Sequence, residues 1–178
     1  KLKLETIALE SFLRSDRDYL ECNNLVYDFL KKYTGFPYEI AEQGNLIFSY
    51  KRLIGINIAL AKVSKALKKE KKEYSKYLSE AVSTANYAID LVQRNLDSKA
   101  KQMFKLDIRS FYYNGCCAIS LLAESNGELK KTEKSDIFDL FKELIQLIPE
   151  KDYPSRILKD KDFLFALVRI GDEIRQRL

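Results

Sequence analysis

Three cysteines carry the most versatile chemistry in this 178-residue chain, because a thiolate can bind a soft metal or attack a substrate. Cys116 and Cys117 are adjacent, so on a helix their side chains point about 100° apart, and Cys22 lies far away in sequence. The chain has no histidine, which removes the nitrogen donors of common zinc sites and the usual activating base of a catalytic thiol. We therefore expect free, mostly buried cysteines in a reducing compartment, and no metal or other cofactor.

Carboxylates and glycines offer no stronger case for catalysis. Di-iron helical bundles need a Glu-x-x-His motif, which a chain without histidine lacks. Asp160 and Asp162 lie two residues apart where a helix is expected to begin, and helix capping explains both. The six glycines are scattered rather than grouped into a phosphate-binding loop. We therefore predict that the protein is not an enzyme.

A cluster of lysines gives the chain its most concentrated charge. The whole sequence has 31 basic and 26 acidic side chains, a net charge of +5. If residues 62–76 form one continuous helix, five lysines share a face, called here the lysine face: Lys65, Lys68, Lys69, Lys72 and Lys76. This face either binds nucleic acid or another polyanion, or is the solvated end of a helix. In the second case Glu70 and Glu73 pair with neighbouring lysines on the same helix. The lack of arginine in this segment favours the second interpretation.

The elements that position these residues are predicted to be helices. Apolar residues recur three and four positions apart, and no alternating strand pattern is present, so we predict an all-α single domain of about seven helices. A short first helix is expected to break near Ser15 and Asp16. A second helix is expected to end at Gly35, before a loop over residues 35–45, and to carry five apolar residues on one face: Cys22, Leu25, Val26, Phe29 and Leu30.

The middle of the chain predicts the central helix of the fold. Apolar residues surround most of the segment from Leu46 to Leu67, so it should lie between other helices. No glycine or proline forces a break in the lysine-rich residues that follow. The next helix carries a stripe of small residues, Ala81, Ala85 and Ala88, which indicates close approach of a neighbouring helix.

The second half of the chain predicts a helical hairpin and a last helix. Helices over 104–123 and 137–148 are separated by a polar loop over 124–136, and Pro149 stops the second of them. After Pro154, either Asp160 or Asp162 caps the last helix. Residues 1–75 thus form irregularly arranged helices, and residues 76–178 form helix pairs.

The motif FYYNGCCAISLLAE, which begins at Phe111, resembles the first helix of a tetratricopeptide repeat. Cys116 occupies the place where a small residue separates the two helices of a repeat, and the spacing of Ile137, Phe141, Leu144 and Pro149 is similar to that of the second helix. The resemblance covers residues 111–149, and Ile157–Leu167 resembles the helix that closes such arrays. The resemblance implies antiparallel helix pairs in a right-handed array. The alternative is an irregular helical bundle. The long loop predicted over residues 124–136 departs from the family pattern, in which a tight turn joins the two helices.

The resemblance also implies a function. One side of the first repeat helix faces a concave groove that binds proteins or peptides, and in this sequence that side consists of Ser110, Tyr113, Cys117, Ser120 and Leu121, called here the groove face. The alternatives are nucleic-acid binding by the lysine face, and a structural or oligomerisation module in which the helix 46–67 pairs with a second copy.

The expected setting is the cytoplasm, as part of a larger protein. No apolar run reaches the roughly 18 residues that cross a bilayer, since Gly55 and Asn57 interrupt the longest one. We therefore expect no membrane partner. The sequence leaves the oligomeric state and the identity of the partner open.

Overall fold

The computed structural model describes residues 2–147 and 159–177, and the side chains of residues 10–147 and 159–172. This described part contains seven helices and no strand, which confirms the predicted all-α fold. In chain order the helices are α1 (Leu2–Leu30), α2 (Ile40–Ala66), α3 (Lys71–Asn95), α4 (Ser98–Met103), α5 (Lys105–Asn126), α6 (Lys131–Leu147) and α7 (Leu164–Arg177). The predicted helix stop at Pro149 lies outside the described residues, as does Pro154, after which the last helix was expected.

Helix α1 is continuous, so the predicted break near Ser15 and Asp16 is wrong. The Asp16 carboxylate does not cap a helix; it accepts a hydrogen bond of 2.9 Å from the ammonium of Lys69. The helix ends at Leu30, five residues before the predicted Gly35. The backbone amide of Tyr33 donates a 3.1 Å hydrogen bond to the carbonyl of Leu30, and this bond tightens the carboxyl end of α1.

Helix α2 lies at the centre of the fold, as predicted, and packs against α1, α3 and α5. Most of its apolar side chains are buried, including Ile47, Ile54 and Leu60, whereas Phe48 is 48% exposed. The alternative in which residues 46–67 pair with a second copy stays a prediction.

The connection between α2 and α3 contains a turn that the sequence did not predict. Lys68 has a left-handed backbone with φ of 56°, a conformation that side chains other than glycine rarely adopt. The amide of Lys69 donates to the Ser64 carbonyl at 3.0 Å, and that of Lys68 donates to the Lys65 carbonyl at 3.1 Å. This is the Schellman pattern of a helix end. The predicted continuity of the lysine-rich helix is therefore wrong.

Helices α3, α5 and α6 meet where their side chains are smallest. Ala81, Ala85 and Ala88 are fully buried, as the alanine stripe predicted. A Cβ atom on Gly115 of α5 would lie 3.4 Å from the Ala85 Cβ of α3 and 3.1 Å from a methyl carbon of Leu140 on α6. The three helices can pack this closely because position 115 has no side chain.

Helices α5 and α6 form the predicted antiparallel hairpin, with a shorter connection than expected. Helix α5 continues to Asn126, and Gly127 ends it with a left-handed φ of 80°. Helix α6 begins at Lys131, so the loop covers residues 127–130 rather than 124–136. The carboxylate of Glu133 accepts a 2.8 Å hydrogen bond from the amide of Lys130 at the start of α6.

The last helix packs across the hairpin. Phe163, immediately before α7, is buried and stacks on Phe141 of α6 with ring centroids 5.7 Å apart. Asp160 shapes the turn that precedes α7, since its carboxylate accepts a 2.8 Å hydrogen bond from the amide of Asp162. Ala166 and Ile170 of α7 complete the hydrophobic core that α2, α3, α5 and α6 share.

Candidate functional site

The groove face of α5 lies beneath α7. The Tyr113 hydroxyl donates a hydrogen bond to the carboxylate of Asp160. The hydroxyl oxygen of Ser120 accepts a 3.2 Å hydrogen bond from the amide of Ala166, in the first turn of α7, where helix amides have no partner within their own helix. Helix α7 is thus fixed to the surface that the tetratricopeptide resemblance left open.

Burial corrects the expectation of an open groove face. Cys117 and Ser120 are buried, and Tyr113 is half-buried. Burial raises the pKa of the Cys117 thiol and of the Tyr113 hydroxyl well above their ordinary values. Ser110 donates to the Leu106 carbonyl within its own helix at 3.0 Å, and Leu121 is half-buried. With α7 in place, a partner has no access to Cys117 or Ser120.

The cysteines are free, as expected, with Cys116 and Cys117 buried and Cys22 exposed. Burial also raises the pKa of the Cys116 thiol. Within residues 2–147 and 159–177, no group of three or more cysteine and carboxylate side chains is arranged to hold a metal ion.

The lysine face is divided by the turn at Lys68. Lys65 belongs to α2, Lys68 and Lys69 to the turn, and Lys72 and Lys76 to α3, which corrects the expectation that one helix presents all five. Two of the charges are paired: Lys65 lies 3.4 Å from the Glu124 carboxylate, and Lys69 contacts two carboxylates at 2.9 Å, those of Asp16 and Glu73. Lys68, Lys72 and Lys76 are exposed.

We expect Lys69→Met to lower the free energy of unfolding by about 2 kcal/mol, because it leaves the buried Asp16 carboxylate without its cation. Hydrogen bonding to Glu73 raises the pKa of Lys69. Because the pKa of Lys69 is higher in the folded than in the unfolded chain, the stabilisation from this lysine is fully present below its unfolded-state pKa. It is lost as the pH rises through its folded-state pKa. Urea titration at pH 7 measures the loss.

The exposed Lys72→Met is the matched control for this change. An equal loss of stability in both variants would contradict the role of Asp16.

A cleft of about 670 Å³ lies at the end of the bundle where α1 ends and α2 begins. The connection between these helices supplies most of its wall, including Tyr33, Phe36, Pro37 and Tyr38, and Asn95 at the end of α3 closes one side. The Tyr38 side chain is 99% exposed. Because this ring is already exposed to solvent, a partner can contact its apolar surface without any change in the packing of the chain.

Gln43 in the first turns of α2 holds this connection in place. Its side-chain amide nitrogen donates to the carbonyls of Pro37 and Tyr38, at 3.1 and 3.3 Å. These two bonds direct the amide nitrogen toward the loop, while the buried Oε1 atom accepts no hydrogen bond. The two hydrogen bonds hold the backbone of Pro37 and Tyr38 against the first turns of α2.

A second hydrogen bond fixes the ring of Tyr33 at the cleft. Its hydroxyl donates to the Glu42 carboxylate at 2.6 Å, and this bond raises the pKa of Tyr33 to about 12. The sequence predicts residues 35–45 only as a loop, so the cleft was not predicted. Four aromatic or proline residues between positions 33 and 38 were the available signal, because aromatic rings in loops favour contact with a partner.

The described helices include none with enough continuous apolar length to traverse a lipid bilayer. Comparisons with family models, curated proteins and solved structures found no match for this chain. The tetratricopeptide resemblance therefore stays a prediction.

Proposed function

We propose that the chain is a non-catalytic module that binds another protein by holding an extended segment of it in the cleft between α1 and α2. The observation that carries this proposal is the exposed ring of Tyr38, which lines a cleft of about 670 Å³. Tyrosine is enriched at protein interfaces because it combines a flat apolar body with a hydrogen-bonding hydroxyl.

The walls of the cleft fit a side chain of an extended peptide. Phe36 and Pro37 provide apolar wall for such a side chain of the bound segment. Lys32 lines the same cleft and is exposed, so it favours a segment with an acidic residue. The rigid contacts of Gln43 and Tyr33 keep the cleft formed before binding, which lowers the entropic cost of association.

The wider setting of this proposal follows the resemblance to tetratricopeptide proteins. A hairpin such as α5–α6 is a common unit of helical scaffolds, and we propose the cytoplasm as the compartment because the three cysteines are free. The groove face of α5 is not the binding surface in this proposal, because α7 occupies it.

We expect Tyr38→Ser to weaken peptide binding at least tenfold, as the loss of a central aromatic contact does at other interfaces. The probe is a peptide selected from a phage-displayed random 12-residue library on the wild-type chain. Fluorescence anisotropy with the labelled peptide then gives the dissociation constants of the wild type and the variant.

Tyr87→Ser is the matched control, because Tyr87 is 55% exposed on α3, outside the cleft. Its dissociation constant should stay within about twofold of the wild-type value. Failure to select any peptide, or equal weakening by both variants, would contradict the proposal.

The exposed Lys68, Lys72 and Lys76 favour a second candidate function, the binding of a polyanion such as nucleic acid. Chromatography on immobilised heparin separates the two functions. Strong retention that falls steeply with salt would support the second candidate, whereas elution at low salt would exclude it.

A further inference from the structure

The chain contains two asparagines that are followed directly by glycine, Asn114 and Asn126. This pair of neighbours is chemically labile, because the backbone nitrogen of the second residue can attack the side-chain amide carbon of the asparagine. Glycine has no Cβ to hinder that attack, and its backbone reaches the conformations that ring closure needs. Whether such an asparagine reacts in a folded chain therefore depends on how firmly the surrounding backbone is held.

Asn114 lies in the middle of α5, where the backbone is held firmly. Gly115 is buried, and a Cβ atom there would lie 3.4 Å from the Ala85 Cβ and 3.1 Å from a methyl carbon of Leu140. Helical hydrogen bonding keeps the amide of residue 115 within the helix, so its nitrogen is not free to attack. Reaction at Asn114 would require α5 to open and to separate from α3 and α6.

Asn126 is the last residue of α5 and is exposed, as is Gly127. Gly127 has a left-handed backbone, and its amide donates one hydrogen bond of 3.1 Å to the Glu124 carbonyl. The residues that follow, up to Lys130, belong to no helix. Because helix ends open at a small cost in free energy, breaking this bond frees the Gly127 nitrogen without opening the rest of α5.

We propose that Asn126 is a site of spontaneous deamidation and that the fold protects Asn114 from the same reaction. In the first step the Gly127 amide nitrogen loses its proton and bonds to the side-chain carbon of Asn126, and the bond from that carbon to the side-chain nitrogen breaks. Ammonia leaves, and a five-membered ring remains. Water then opens the ring at either of its two carbonyls, which gives aspartate or isoaspartate. Water is the only reactant that the balance requires.

The new carboxylate changes the surface at the carboxyl end of α5. It lies at the negative end of the helix dipole, where an added anion is unfavourable. The isoaspartate product also adds one carbon to the main chain, next to the short connection over 127–130. Because the reaction needs only water, the modified fraction rises with the age of the molecule, and the net charge of +5 falls by one unit in each modified chain.

Peptide mapping of the intact, folded chain tests this proposal. Trypsin cuts after Arg109 and Lys130, so both asparagines fall in one peptide, and tandem mass spectrometry assigns the change to one residue or the other. After incubation at pH 8, conversion should be at least about tenfold faster at Asn126 than at Asn114, because only Asn114 needs α5 to open. Equal rates at the two asparagines, or an unchanged Asn126, would overturn the proposal.

Two controls separate the effect of the fold from that of the sequence. In the free 110–130 peptide both asparagines should react at similar rates, and continued protection of Asn114 there would contradict a role for the fold. In ion-exchange chromatography the folded wild type should develop a second, less basic peak. Asn126→Gln should stay a single peak, because the longer side chain closes its ring far more slowly. An equal second peak in this variant would assign the change to another residue and overturn the proposal.

Discussion

Phe163→Ala should lower the free energy of unfolding by about 3–4 kcal/mol and loosen α7 from the hairpin. Phe163 is fully buried and stacks on Phe141, and replacing a buried phenylalanine by alanine removes both its contacts and the volume it fills. In the wild-type chain, Cys22 is the exposed thiol. Loosening α7 should also expose Cys117, so a disulfide reagent at pH 8 should count one fast thiol per chain in the wild type and two in the variant.

The neighbouring Leu164→Ala is the control for this change. Leu164 is 51% exposed, so its loss should cost less than about 1 kcal/mol and leave one fast thiol. Cys116 lies in the same helix α5 as Cys117 and is also buried. Two fast thiols therefore indicate release of α7 alone, whereas three would indicate that α5 itself opens. Equal reactivity of Cys116 and Cys117 in Phe163→Ala would mean that α5 itself opens, and would contradict the role assigned to Phe163.

Gly115→Leu should lower the free energy of unfolding by about 3 kcal/mol or more. Even a Cβ at this position would lie 3.1 Å from Leu140 and 3.4 Å from Ala85, so the rest of a leucine side chain must push α3 and α6 away from α5. Overpacking a close helix contact typically costs 1–3 kcal/mol, and here two contacts open together. Thermal and urea unfolding measure the loss.

Gly55→Leu provides the comparison for this change. Gly55 also lies within a helix, but apart from its chain neighbours and the nearby backbone of that helix no atom lies within 4 Å of the position that its Cβ would occupy. A leucine there gains helix propensity, so stability should stay within about 1 kcal/mol of the wild-type value or rise. Equal destabilisation by both leucines would mean that the Gly115 contact does not limit the packing of the three helices.

The parts of the fold that the sequence predicted well are those where local pattern and packing agree. The apolar residues around α2 indicated a central helix, and the alanines of α3 indicated a close neighbour. Both inferences need only the residue types on one helix. The hairpin of α5 and α6 was predictable for the same reason, whereas the length of its loop was not, because the polar residues 124–126 and 131–136 also form helices.

The parts that the sequence did not predict depend on partners far along the chain. Asp16 looks like a helix cap until Lys69, 53 residues away, is known to pair with it. Lysine has no preference for the left-handed backbone of Lys68, so the turn there left no local signal. The pairing of Asp16 with Lys69 is therefore a tertiary contact that overrides local preference.

The candidate site was difficult to predict for a related reason. The groove face of α5 has the residue types of a repeat helix, but nothing in residues 110–121 shows that α7 packs over it. The cleft between α1 and α2 depends on Gln43, whose side chain connects two backbone carbonyls of the loop. A glutamine in that position has no distinctive sequence pattern.

The order of the helix contacts has a consequence for how the chain folds. Helix α2 packs on α1, α3 on α2, and α6 on α5, so most contacts close only short stretches of chain and lose little entropy. Docking of α7 is different, because the ion pair between Lys62 of α2 and Asp162, in the turn before α7, joins residues 100 positions apart. The amino-terminal helices can therefore assemble from neighbours, while the final covering of α5 must wait for a distant part of the polypeptide to arrive.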